Sequence, residues 1–380
     1  MGPLEGVRIV ELAGIGPAPL SAMLLADLGA TVIRVDRKEP SGLGVSRPLQ
    51  FDLVLRNRKS IRVDLKDSRG LELVRSLIDK ADAVIEGFRP GVTERLGLGP
   101  DACLARNPKL VYGRVTGWGQ EGPLAQAAGH DLNYIAITGA LDAIGRDGQP
   151  PTMPLNVLGD YAGGSLYLAL GILSGILSAR SSGKGQVVDA AIVDGVASLM
   201  TVLIGLRAAG MMNGARGTNL LDSGAPFYDV YACADGKFVS IGPIESKFYR
   251  QLLERLGLEG AAPADHMDRA QWPEMRHLLA ETFKTKTRAQ WTALLEGSDV
   301  CFGAVLSQEE AFEHPHLKAR KTFVEVAGVM QPAPAPRFSG TPAAAPQPPA
   351  EANAENAAAA LADWFSQAEI EAFASAGAFE

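Results

Sequence analysis

The sequence predicts an α/β protein, and two observations carry that reading. A β-branched run at residues 7–12 leads through the turn Ala13-Gly14-Ile15-Gly16-Pro17 into an apolar-periodic stretch at 19–28, stopped by Gly29, and a second strand follows at 31–35. Strand, glycine turn, helix and strand in that order are the unit from which parallel sheets are built. Further strand-like runs recur at 60–65, 83–88 and 110–115, with a helical pattern at 68–80. At 380 residues the chain exceeds one ordinary core, so two domains or one large elaborated α/β unit is expected.

Past residue 115 a glycine-rich loop, Thr116-Gly117-Trp118-Gly119-Gln120-Glu121-Gly122-Pro123, delivers the chain to His130. Residues 161–179 carry no charge and approach membrane-spanning length, with Gly171 and Gly175 at the spacing of closely packed helix pairs. Their many Gly, Ser and Ala residues favour a buried helix packed closely against another helix, and no membrane partner is expected. A turn at Ser181-Ser182-Gly183-Lys184-Gly185 precedes a strand or sheet edge at 186–190 and a second apolar helix at 192–206. Residues 208–224, rich in Gly, Asn and Met without periodicity, read as a linker.

The remainder has a different grain. Strands at 228–232 and 237–241 flank Asp235-Gly236, a hairpin signal, and Glu245 follows at the start of a helix. Amphipathic stretches at 248–256, 272–283 and 288–295 come next, then 305–312, a strand at 323–326, a Pro/Ala-rich connector at 332–349 and a final amphipathic helix at 361–374.

Hydrophobic residues make up 47% of the chain and charged residues 21%, a globular balance, and the net charge of −7 argues against nucleic acid as a partner. Cys103, Cys233 and Cys301 are far apart and lack metal-ligand spacing, so unpaired thiols and no metal are expected. His314-Pro315-His316 suits a surface turn better than a metal site. Neither a secretory leader nor a peroxisomal address is evident, and a cytoplasmic location is expected.

Gly14-x-Gly16 with Asp36 about 20 residues on suggests a dinucleotide site at first. Pro19 stands where the third glycine would let helix and strand approach, and Pro17 lacks an N–H for pyrophosphate, so a nicotinamide cofactor is not expected. Basic residues recur instead at the ends of successive strands: Arg34, Arg37 and Lys38, then Arg56, Arg58, Lys59 and Lys66, then Arg89 and Arg95. They form either a local anion site suited to phosphate or a solvated rim. His130 and Asp160 each stand beside glycine at the start of a helical segment, where backbone N–H groups favour negative charge. Each alone fits a structural turn or an N-cap. Facing one carbon, an imidazole and a carboxyl would pass a proton through it.

Pro3-Leu4-Glu5-Gly6-Val7-Arg8-Ile9-Val10-Glu11-Leu12, Asp27-Leu28-Gly29-Ala30, Glu86-Gly87-Phe88-Arg89-Pro90-Gly91, Gly117-Trp118-Gly119, Gly159-Asp160 and Pro336-Arg337-Phe338-Ser339 resemble the family III CoA-transferase superfamily along almost the whole chain. Within it, Gly129-His130-Asp131-Leu132-Asn133-Tyr134 resembles the α-methylacyl-CoA racemase branch. The resemblance implies a large Rossmann-like domain plus a smaller α+β domain in an interlocked homodimer: 1–207 large, 208–225 linker, 226–328 small, 329–380 returning onto the large domain. It implies cofactor-independent interconversion of (R)- and (S)-2-methylacyl-CoA thioesters, the acyl-CoA itself bringing the only CoA. His130 and Asp160 would be the acid/base pair, with Glu245 approaching His130. Arg37 and Arg95 would meet the CoA phosphates, and Val63, Asp64, Leu65, Lys66, Gly87, Phe88, Arg89 and Tyr134 would line its path, with Gly129, Asp131 and Gly159 in the same substrate site. N–H groups at the start of the helix near Asp160 would hold the enolate oxygen, and Met200, Met211 and Met212 are candidates for the acyl surface. The alternative is a CoA transferase in which Asp160 attacks the thioester and forms an acyl anhydride.

Overall fold

The computed structural model describes residues 2–39, 42–261 and 263–380. The chain divides into two units: Met1–Thr138, Leu155–Leu199 and Lys321–Glu380 form the first, and Gly139–Pro154 with Met200–Arg320 form the second. These bounds depart from the expected ones. The break falls at Met200 rather than 207, because the expected single helix at 192–206 is two, Ile192–Leu199 and Thr201–Ala208. The segment 139–154, lodged in the first half of the sequence, belongs to the second unit.

The first unit is built on strands β1 (Arg8–Leu12), β2 (Thr31–Asp36), β3 (Lys59–Arg62), β4 (Ala83–Glu86), β5 (Val111–Thr116) and β6 (Gln186–Ala191). They form one parallel sheet in the order β3-β2-β1-β4-β5-β6. That is the doubly wound order, whose direction reverses between β1 and β4. Both faces are covered, so successive residues of each strand enter opposite cores. Val10, Leu12, Ile33, Val35, Val84 and Tyr112 pack with helix Ser68–Asp79 and the C-terminal helices Ala354–Leu361 and Gln367–Ser375. Ile9, Val32, Ala83, Ile85, Val111 and Val115 pack on the other side with helices Pro17–Asp27 and Tyr167–Ser182. The expected single helix at 361–374 is interrupted, since Ser366 starts a new helix with a reciprocal cap to Glu369.

Helix Tyr167–Ser182 continues a π-helical segment, Val157–Leu166, and 157–182 together are long and apolar enough to cross a membrane. Its glycines face the sheet rather than a helix. A Cβ on Gly171 would lie 2.5 Å from Val188, and one on Gly175 2.7 Å from Val111. The spacing that suggested a helix pair therefore serves close helix–sheet approach.

The second unit carries an antiparallel sheet of β7 (Asp229–Ala232), β8 (Phe238–Ile241) and β9 (Phe302–Val305), in that order. The hairpin at Asp235-Gly236 is as expected; β9 is an addition to it. Phe227, Tyr231, Leu252, Leu279, Phe283 and Trp291 fill the core between this sheet and helices Ser246–Leu256, Trp272–Phe283 and Arg288–Leu295. The expected linker at 208–225 is an organised loop of this unit. Buried Asn219 ties Gly214, Ala215 and Asp222 together through its side chain.

Candidate active site

An open α/β sheet offers ligands a crevice beyond the carboxyl ends of the strands at which its order reverses. The first unit has a cleft of about 1240 Å³ there. Gly14, Ile15, Gly16 and Pro17 after β1, Gly87, Phe88, Arg89 and Pro90 after β4, and Thr116, Gly117 and Trp118 after β5 line it. His130, Asn133, Tyr134, Asn156, Asp160 and Tyr161 close one side, and Leu43, Gly44, Val45, Arg47, Val54 and Leu55 another. The sequence alone did not single out Arg47 or the apolar pair Leu43 and Val45, and gave Trp118 only as part of a motif, without a place in the site. The only signal for the apolar pair was a hydrophobic residue on each side of Gly44 in a loop.

His130 is the N-cap of helix Asp131–Ile137, as its place in a glycine-flanked turn suggested, and its backbone N–H donates to Asn133 Oδ1 at 3.0 Å. The ring is exposed to the cleft. Tyr134, one turn on, donates its hydroxyl to the Gly129 carbonyl and meets Trp118 edge to face at 4.7 Å. Burial raises the Tyr134 phenol, and the charge of Asp160 adds to the effect.

Asp160 differs from the expectation of an N-cap. It lies in the first turn of the π-helical segment, whose cap is Asn156, and Asn156 Nδ2 donates to Asp160 Oδ2 at 3.4 Å. Burial pushes the Asp160 carboxyl above its ordinary value. The Asn156 hydrogen bond opposes that shift, the nearby Asp131 charge adds to it, and His130 lowers it. His130 and Asp160 are thus brought into one cleft and within electrostatic reach of each other. π-helical turns are rare and concentrate at functional sites.

Asp131 is placed otherwise than expected for a substrate contact. It is 6% exposed and does not line the cleft. Its Oδ1 accepts the Asp160 backbone N–H at 2.6 Å, and the Gly159 N–H also bonds to the carboxylate. The N–H groups expected to hold an enolate oxygen at Gly159 and Asp160 are therefore already engaged. Gly159 is buried against this carboxylate, where a Cβ would come 2.3 Å from Asp131 Oδ1.

Of the remaining expected residues, Arg37, Gly87, Phe88, Arg89 and Gly129 line the cleft. Arg37 lies over the Phe88 ring at 5.5 Å. Val63 is buried in the sheet core, Leu65 packs against it, and Asp64 and Lys66 are exposed outside the cleft. The reason is topological: β3 is an edge strand, two places from β1. Arg95 is exposed on the short helix Val92–Arg95, also outside the cleft. Glu245 belongs to the second unit, where it is exposed and caps helix Ser246–Leu256; Met200, Met211 and Met212 are also residues of that unit.

The basic strand ends are only partly an anion site. Arg34 and Arg58 are buried on one carboxylate, Glu11, at 2.7 and 2.5 Å, and Arg56 is buried on Asp27. Burial works against the Arg34 charge, but Glu11 and Asp36 outweigh it and hold the guanidinium above its ordinary value. Lys38 and Lys59 pair with Glu380 and Asp363. Arg37 and Arg89 remain as exposed guanidinium groups on the cleft wall.

Residues 4–356 match the CoA-transferase family III model. The chain is 43% identical over 341 residues to the α-methylacyl-CoA racemases of Mus musculus and Homo sapiens, an alignment spanning 90% of this chain and 87% of each relative. Among solved structures, a CaiB/BaiF family protein from Brucella suis superposes with a TM-score of 0.81 at 27% identity, covering 96% of this chain and all of the other.

Proposed function

Since the chain belongs to CoA-transferase family III, we propose that it is a racemase interconverting (R)- and (S)-2-methylacyl-CoA thioesters by α-proton transfer. The observation that carries the reading is the pairing of His130 with a carboxyl of raised proton affinity, Asp160, in one cleft. Identity of 43% to two racemases supports it.

The α-proton of a thioester is weakly acidic. Its removal requires a base beside C2 and stabilisation of the enolate oxygen, and inversion requires an acid on the opposite face. The His130 imidazole takes the proton from one epimer while the Asp160 carboxyl, its proton affinity raised by burial, returns one from the other side; the reverse direction exchanges the roles. In place of those at Gly159 and Asp160, the Asp131 and Leu132 N–H groups at the start of helix Asp131–Ile137 serve the enolate oxygen, the Asn133 N–H being taken by the His130 carbonyl at 2.8 Å. Arg37 and Arg89 bind the CoA phosphates at the cleft wall, and the CoA extends towards Val63–Lys66 after the edge strand β3 and towards Arg95. No cofactor beyond the substrate's own CoA takes part.

The active form in this reading is a homodimer in which Glu245 approaches His130. In the first unit Leu166, Leu170 and Leu177 are more than half exposed along one helical face, an apolar strip suited to covering by a second copy. Sedimentation at micromolar concentration tests this, and a monomer would reject it.

Incubation with (S)-2-methylacyl-CoA in deuterated water tests the chemistry. Deuterium enters C2 as the epimers approach equal amounts, and both changes are lost in His130→Ala and Asp160→Ala. Absence of exchange, with CoA appearing on an added carboxylate, would instead assign Asp160 as the nucleophile of a transferase.

A further inference from the structure

The carboxylate of Asp131 joins the two residues on which the proposed chemistry depends. It directly follows His130 in the chain and opens helix Asp131–Ile137, while its Oδ1 accepts the N–H of Asp160, 29 residues on, at 2.6 Å. Gly159 donates to the same group. The segment carrying Asp160 is π-helical and lacks the regular i to i−4 ladder that fixes an α-helix. An outside acceptor is therefore a direct constraint on its backbone. A second tie comes from buried Ser165, whose hydroxyl lies 3.1 Å from the Asp160 carbonyl and 2.8 Å from that of Pro17. Glycine at 159 is the counterpart of this arrangement, because any side chain there would occupy the position of Oδ1. The other oxygen, Oδ2, is buried without a hydrogen-bond partner among the described residues. An uncompensated carboxylate oxygen of that kind is unfavourable, so a role in stability alone does not account for an acid here.

We propose that Asp131 is a positioning residue for the acid/base pair: by following His130 in the chain and accepting the Asp160 backbone N–H, it fixes the separation of Asp160 from His130. The inference rests on the racemase reading.

The groups that face Asp160 are few. Asp131, His130 and Tyr134 come from the helix and cap at 130–137. Among the other packed elements, Asp27 is paired with Arg56, Arg114 with Glu86 and Glu94, Asp189 accepts from the Gln120 N–H, and Asp194 and Arg180 are exposed. Among the described residues, the charges of Asp131 and His130 act on Asp160, in opposite directions.

The test uses the whole protein with Asp131→Asn, which keeps an acceptor oxygen and loses the charge, and Gly159→Ala, which displaces the carboxylate. Deuterium exchange is followed from each pure epimer across pH, with KM and a thermal melt recorded alongside. For Asp131→Asn the expected result is KM within about 2-fold of wild type and an exchange rate at least ~10-fold lower for the epimer whose proton faces Asp160 than for the other. The pH limb belonging to Asp160 moves to lower pH, because a neighbouring negative charge has been removed. Gly159→Ala reproduces the unequal loss between epimers. Equal loss for both epimers with an unmoved pH limb in a folded variant would overturn the inference, as would wild-type rates throughout. Absence of exchange in the wild type would instead remove the racemase reading itself, so the two failures are distinct.

Discussion

The ring of Tyr134 occupies the space that a side chain on Gly117 would need: a Cβ there would lie 2.0 Å from Cε1 and Cζ. One end of β5 and the start of the helix capped by His130 are thereby in contact through an aromatic ring laid on bare backbone. Gly117→Ala should expel the ring, destabilising the first unit by ~1–3 kcal/mol as overpacking does. Denaturant unfolding would measure the loss, and an unchanged midpoint would show that the ring relaxes without penalty.

Asp27 and Arg56 form a fully buried two-pronged pair, Nε and Nη2 reaching the carboxylate at 3.1 and 2.6 Å, with Asn57 adding a bond at 2.6 Å. Removing one member leaves the other charged and dry. Asp27→Ala should lose ~3–5 kcal/mol, whereas replacing both with apolar residues of similar volume should lose much less. Equal effects of the single and double changes in urea unfolding would refute this account.

Asp160 has a proton affinity raised by burial, which fixes the sign of its pH dependence. Its native state holds the proton more tightly than the unfolded chain, so the associated stability is full at pH below the unfolded carboxyl pKa of ~4 and is lost as pH rises through the higher native value. Asp160→Asn should therefore melt higher than wild type at neutral pH, with the difference vanishing in acid, while proton exchange at C2 is abolished. A variant that melts lower at neutral pH would mean that the ionised carboxylate is stabilising where it sits.

Arg37 and Arg89 are exposed guanidinium groups on the cleft wall. Alanine at either should raise KM for an acyl-CoA by roughly 10-fold, in line with one charge-assisted contact of about 1.5 kcal/mol, and leave kcat nearly unchanged. The increase should shrink as salt rises. A fall in kcat at constant KM would place these residues in the chemistry instead of in binding; Arg47, also exposed on the cleft wall, is paired with Asp52.

The parallel sheet was legible because its strands are short β-branched runs separated by glycine turns, and β1 and β2 fall where those patterns put them. The pairing of His130 with Asp160 was legible only through their local motifs and the family resemblance. What escaped has a common cause in long-range contact. Asp131 reads as a residue of the substrate site, and nothing local shows that its partner is a backbone N–H 29 residues away. Arg34, Arg56 and Arg58 look like free cations until Glu11 and Asp27 are brought beside them by the fold. Gly171 and Gly175 state that something approaches closely but not whether it is a helix or a strand. The division at Met200 follows from which core each side chain joins, a property of packing rather than of periodicity.

The order in which the first unit is made also matters. Its sheet is laid down by residue 191, but one of its two cores is completed by Leu361, Trp364, Phe365 and Ile370, and Glu380 exchanges backbone hydrogen bonds with Arg62 at 3.2 and 3.0 Å. The ribosome must synthesise the whole stretch 200–320 of the second unit in between. The nascent sheet therefore emerges with one greasy face uncovered for the time taken to translate well over a hundred codons, an interval of tens of seconds at slower elongation rates. A premature stop within residues 354–380 would leave that face uncovered for good, turning a transient demand on chaperones into a permanent one.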